Sequence, residues 1–96
     1  MLTAAEWAEA RLGYVFRDPA LLEAALTHRS ASKRNYERLE FLGDAVLNVA
    51  VAVLLFREYP DADEGDLSRY RAALVSGSSL ATVAIGLALG EQLRLG

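Results

Sequence analysis

The sequence predicts an all-α fold, and three observations carry that prediction. Alanine and leucine together supply more than a third of the 96 residues, with two prolines and few β-branched runs, a composition dominated by strong helix formers. Residues that cap helices precede the apolar stretches in turn. The stretch 45–56, AVLNVAVAVLLF, is apolar on nearly every side, with Asn48 its only polar residue. A helix of that kind is expected in the interior of a protein. A chain of this length makes one domain at most, burying roughly 60–65% of its unfolded surface.

Five helices follow in order. Thr3-Ala4-Ala5-Glu6 has the form of a capping box, opening a helix that Gly13 closes, with Trp7 and Leu12 as its expected core contacts. Asp18-Pro19 caps a second helix to about Leu26, with proline in its favoured first position. Residues 28–35 form a basic loop carrying Arg29, Lys33 and Arg34. The third and longest helix is expected over 36–58 and stops near Pro60. Asp63-Glu64-Gly65-Asp66 opens a fourth helix to about Val75, with acids that complement the helix dipole. Ser76-Gly77-Ser78-Ser79 reads as a turn and cap for a fifth, over 79–89 and closed by Gly90.

The entry turns of the third helix break the local pattern. At 100° per residue Glu37, Glu40 and Asp44 fall within about 60° of one another, and no cation stands three or four positions from Glu40 or Asp44. Like charges at such spacing cost roughly 0.2–0.5 kcal/mol per pair. Dipole compensation accounts for Glu37 and extends at most to Glu40; Asp44 lies two turns in. Gly43-Asp44 adds two poor helix formers where the helix enters its apolar stretch. Rules broken together at one spot point to function, and a divalent cation is the natural compensation for the acids. The apolar stretch rises about 18 Å, less than a ~30 Å hydrocarbon layer, so no membrane partner is expected.

The remaining candidates are weaker. The net charge of −3 does not mark a nucleic-acid binder as a whole, since phosphate binding leaves a basic footprint. Locally, Arg29, Lys33, Arg34 and Arg38 face the single acid Glu37 between positions 28 and 38, which suits attraction of a phosphate backbone beside a metal-ready helix. Arg69 and Arg71 have two readings, pairing with nearby acids or touching phosphate. Nucleophilic serine chemistry at Ser76–Ser79 would need a positioned base, and the only histidine, His28, is distant in sequence. Capping explains those serines better, and His28 is expected to be a structural hydrogen-bonding residue.

The run Asn35-Tyr36-Glu37-Arg38-Leu39-Glu40-Phe41-Leu42-Gly43-Asp44-Ala45-Val46-Leu47 resembles the signature of the ribonuclease III family, with Tyr36 inserted after the asparagine and Ala45 in place of the common serine. Leu12-Gly13-Tyr14-Val15-Phe16 and Leu26-Thr27-His28-Arg29-Ser30 resemble family segments before the signature. Asp63-Glu64-Gly65-Asp66-Leu67-Ser68 and Leu89-Gly90-Glu91 resemble segments after it, so the likeness covers essentially the whole chain. The resemblance implies a double-stranded-RNA endoribonuclease acting in RNA processing, with Mg²⁺ as cofactor and Mn²⁺ as its substitute. It implies Glu40 and Asp44 as catalytic metal ligands and Glu37 and Glu64 as supporting acids. It also implies products with 5′ phosphates and 3′ hydroxyls, cut with 3′ overhangs by a homodimer in which Phe41 packs into the partner subunit.

The resemblance exposes a gap as well. In the bacterial family members a second acidic pair, D-x-x-E on a later helix, and a double-stranded-RNA-binding domain follow the segments matched here, so the resemblance places both after residue 96. Residues 1–96 are therefore expected to be the N-terminal portion of a ribonuclease III catalytic domain, with little activity alone. The alternative is a non-catalytic relative kept for RNA binding or assembly, and an all-α dimerisation module is a third reading. No cysteine occurs and the first residues lack the basic-then-apolar form of a secretory signal, so a soluble cytoplasmic protein is expected.

Overall fold

Thr3 opens the first helix as a complete capping box. Its hydroxyl accepts the Glu6 N–H at 3.1 Å, and the Glu6 carboxylate accepts the Thr3 N–H at 3.0 Å. The computed structural model describes residues 2–96. Its elements are α1 (Ala4–Leu12), α2 (Pro19–Ala25), α3 (Glu37–Glu58), α4 (Glu64–Leu74) and α5 (Gly77–Gly86), then a 3₁₀ turn (Leu89–Gln92). Among the described residues the only β-type pairing is an isolated parallel bridge between Thr27 and Arg94.

The core sits between α1, α2 and the segment after α5. Trp7, Ala8, Leu22 and Leu26 are buried together, with Ala4, Phe16, Leu87 and Leu89 packed against them. Burying Trp7 requires a partner for its indole N–H, which donates to the Leu87 carbonyl at 2.7 Å. Leu12, expected in this core, is 47% exposed; five positions from Trp7 it lies about 140° around the helix, on the other face. Gly13 then ends α1 at φ +68°, a left-handed conformation that glycine adopts without a Cβ penalty.

The fifth helix departs from its expected bounds. Ser76 is the N-cap and accepts the Ser79 N–H at 3.2 Å, so the helix starts at Gly77 and ends at Gly86. Gly90 is not its stop. Ala88 adopts φ +54°, which costs about 1–2 kcal/mol for a residue with a Cβ. That turn swings Leu87 and Leu89 onto Trp7, and their burial offsets the strain.

α3 is the larger correction. Read as buried on all sides, it buries only Leu55 among the described residues, while Phe41, Leu42, Val46, Val49, Val53, Leu54 and Phe56 are exposed. α4 folds back on α3 through the turn after Tyr59, where the Tyr59 and Tyr70 rings lie 5.4 Å apart. One eleven-residue helix covers one stripe of a 22-residue helix and leaves the rest open. The dimensions agree: the radius of gyration is 15.4 Å, against about 12–13 Å for a compact chain of this length. By length and composition α3 as a whole is long and apolar enough to cross a hydrocarbon layer, although its purely apolar stretch falls short.

Candidate functional site

The acidic stripe depends on how α3 begins. Tyr36 occupies the N-cap position and makes no side-chain cap. Asn35 does that work from one residue earlier, its Oδ1 accepting the Glu37 N–H at 3.0 Å while its amide donates to the Ser32 and Lys33 carbonyls. Tyr36, between Asn35 and Glu37, therefore does not prevent the helix start from being capped.

Glu37, Glu40 and Asp44 all stand exposed on the first two turns of α3. Glu37 is partly neutralised by Arg29, 3.7 Å away across the loop; an exposed pair like this is worth about 0–1 kcal/mol. Among the described residues neither Glu40 nor Asp44 has a salt-bridge partner. Glu40 borders a shallow hollow with Ala25, Tyr36 and Leu39. The Asp44 main-chain carbonyl accepts the Asn48 amide at 2.9 Å, leaving the carboxylate outward. Among the described residues nothing lies within 4 Å of where a Cβ on Gly43 would sit, so none of their contacts explains that glycine.

The donor set here is made of carboxylate oxygens. Among the described residues no three His, Cys, Asp or Glu side chains are grouped to hold a metal, so Glu37 does not complete a three-carboxylate site. Glu40 and Asp44 remain, one turn and about 6 Å of helix rise apart. Two carboxylates suit Mg²⁺, a hard ion that binds through one or two such groups and keeps several waters.

The other candidates disperse. Arg29, Lys33, Arg34 and Arg38 are all exposed, and Arg29 alone pairs with the stripe. Arg34 borders a different hollow with Glu23, Ser32 and Arg94. Glu64 lies against the second half of α3, beside Ala52, Leu55 and Phe56, about 12 Å or more along the helix from Asp44. The hairpin thus does not bring Glu64 to the stripe. Arg71 shares that hollow with Glu64, and Arg69 pairs with Asp66. Phe41 is 84% exposed and belongs to no core among the described residues.

His28 is a hydrogen-bonding residue, as expected. Its Nδ1 lies 2.6 Å from the Ser30 hydroxyl and accepts the Ser30 N–H at 3.1 Å, while its ring meets Tyr36 edge-on at 5.8 Å. Sequence reasoning missed two residues near the site, Arg94 and Gly96. Their main chain runs beside the start of the basic loop, and no local signal marks them.

Comparison with known proteins bears on this geometry. A family model described as ribonuclease-III-like matches residues 18–96. Ribonuclease 3 of Alcanivorax borkumensis is 62% identical over 88 residues, covering 91% of this chain and 39% of that protein. Ribonuclease 3 of Bordetella avium is 61% identical over 88 residues, covering 92% of this chain and 35% of that protein. A solved nuclease domain of ribonuclease III from Campylobacter jejuni, with structural flexibility in a region involved in its dimer formation, superposes with a TM-score of 0.88 at 49% identity. That match covers 95% of this chain and 64% of the solved one. The chain thus spans well under half the length of these curated relatives.

Proposed function

Because the chain belongs to the ribonuclease III family, we propose that it contributes part of the active site of a double-stranded-RNA endonuclease. The carrying observation is the exposed Glu40–Asp44 pair, one turn apart on α3 and without a salt-bridge partner among the described residues. A cost tolerated in the free protein is recovered when a cation binds there.

In this reading Glu40 and Asp44 hold Mg²⁺, or Mn²⁺ in its place. A cation held by Glu40 and Asp44 would supply Lewis-acid chemistry there, namely a more acidic water for attack on phosphorus and stabilisation of charge on the phosphate and the leaving 3′ oxygen. The chain's own part is to aim two carboxylates outward from a capped, rigid helix and to draw the phosphate backbone with Arg29, Lys33, Arg34 and Arg38. Glu37 moderates the charge of Arg29. Glu64, against the other half of α3, has a supporting role only. Phe41 is the contact to a second copy in a homodimer, since an aromatic side chain so exposed gains most from burial in a partner. A cytoplasmic setting completes the proposal.

Two carboxylates leave most of an octahedral shell to water and to groups outside the described residues. The 96-residue chain alone is accordingly expected to cut duplex RNA little or not at all. A non-catalytic binding or assembly role draws on one observation, that no three ligand-type side chains are grouped among the described residues; duplex binding without cutting by the protein of the complete reading frame would select it.

The test is Glu40→Gln and Asp44→Asn in that protein, assayed on labelled duplex RNA in Mg²⁺. Cleavage is expected to fall by about 100-fold or more for either variant, with duplex binding in Ca²⁺ unchanged. Mg²⁺-dependent cutting retained by either variant overturns the ligand assignment.

A further inference from the structure

The basic loop is held at its first residues by a segment more than sixty positions away. Its base is closed by the Tyr36 N–H donating to the Thr27 carbonyl at 3.1 Å. Alongside runs the segment after the 3₁₀ turn. Arg94 N–H donates to the Leu26 carbonyl and His28 N–H to the Arg94 carbonyl, each at 2.8 Å. Gly96 N–H then donates to the Ser30 hydroxyl at 3.1 Å. The fit at Gly96 is close: a Cβ there would meet the Ser30 hydroxyl and lie 2.5 Å from its carbonyl oxygen, so a larger residue displaces one strand or the other.

Ser30 passes this contact on to His28. Its main-chain N–H donates to His28 Nδ1, and its hydroxyl lies 2.6 Å from the same nitrogen. The hydroxyl oxygen also accepts from the Gly96 N–H. A relay of hydrogen bonds, Gly96 to Ser30 to His28, brackets Arg29 on both sides. Arg29 is the loop cation that pairs with the acidic stripe.

We propose that residues 94–96 are a latch that fixes Arg29 beside the stripe, so that its guanidinium passes from Glu37 to an RNA phosphate without the loop having to be ordered on binding. The inference rests on the RNA-cutting reading above. An exposed Arg–Glu pair is weak, so the exchange of Glu37 for phosphate meets little resistance. Ordering a loose loop at the moment of binding would cost conformational entropy that the latch has already met. Arg29 is then the phosphate contact, and Ser30 and Gly96 are positioning residues.

The experiment is a double-mutant cycle in the protein of the complete reading frame, with a defined RNA duplex in Ca²⁺ titrated over salt. Arg29→Ala is expected to weaken binding about 3–10-fold and to lower the salt slope by about one, as loss of one phosphate contact does. Gly96→Val should do the same, and Ser30→Ala, which removes the relay without adding bulk, should follow in direction. Arg29→Ala with Gly96→Val should be no weaker than Arg29→Ala alone, because coupled residues are not additive. Should Gly96→Val lose helix content by circular dichroism, the cycle is read through Ser30→Ala. Additive losses, or an unchanged salt slope in Ser30→Ala, overturn the latch while leaving the RNA-cutting reading in place. Wild-type protein that binds no duplex overturns that reading and the latch with it.

Discussion

The layer around Trp7 and the helix α3 use apolar residues to opposite effect. The first has few, and each finds cover: Trp7 is 3% exposed with its indole N–H bonded, and Ala8, Leu22 and Leu26 close around it. α3 is the most apolar long element of the chain, yet it buries only Leu55 among the described residues. The contrast shows that apolarity in a sequence measures the demand for cover, while the neighbours decide whether it is met. The demand at Trp7 is met by a segment 80 positions away. The demand along α3 is met on the stripe facing α4 alone.

The largest test of this contrast is Trp7→Ala. Removing a buried aromatic leaves a cavity and an unpaired Leu87 carbonyl, and is expected to cost about 3–5 kcal/mol, a large fraction of a domain's stability. Because Trp7 is the only tryptophan, chemical denaturation should be followed by circular dichroism. A loss below about 1 kcal/mol would show that the layer around Trp7 is not the stabilising core.

Phe41→Ala sharpens the other side. At 84% exposure its removal should change the unfolding free energy of the monomer by less than about 0.5 kcal/mol. Self-association measured by sedimentation should weaken about tenfold or more, as for an aromatic anchor at an interface. Unchanged association would refute the dimer role, and a clear loss of monomer stability would place Phe41 in a core after all.

What was legible in the sequence divides along the same line. Helix starts at Thr3, Asp18 and Asp63 were legible because a capping oxygen and the backbone N–H that donates to it lie within three residues. The acidic stripe was legible because it needs only the helical period. The end of α5 was not, since Ala88 turns to serve a contact with Trp7 on the first helix. Nor was the position of Glu64, which depends on how α4 folds back along α3. The exposure of Phe41 and the pairing of Arg94 and Gly96 with the basic loop are likewise set by distant neighbours. Local periodicity carries no information about any of these.

The smallest effect separates the side-chain core of the Trp7 layer from the helix start beneath it. Glu6 has its carboxyl held below the ordinary value of 4.5, chiefly by the hydrogen bond it accepts from the Thr3 N–H. A carboxylate lowered on folding contributes stability above its unfolded pKa and loses it as pH falls through the folded value. The capping box should therefore loosen from about pH 4.5 downward. Trp7 lies one residue beyond Glu6, so its fluorescence reports on that turn. Glu6→Gln keeps a carbonyl that can accept the Thr3 N–H but cannot titrate. The variant should be slightly less stable than wild type near pH 7 and show a shallower fall in thermal midpoint between pH 5 and about pH 3, so that the two converge in acid. An equally steep fall in both proteins would assign the acid sensitivity to other carboxylates, and the helix start would then play no part in holding the Trp7 layer together.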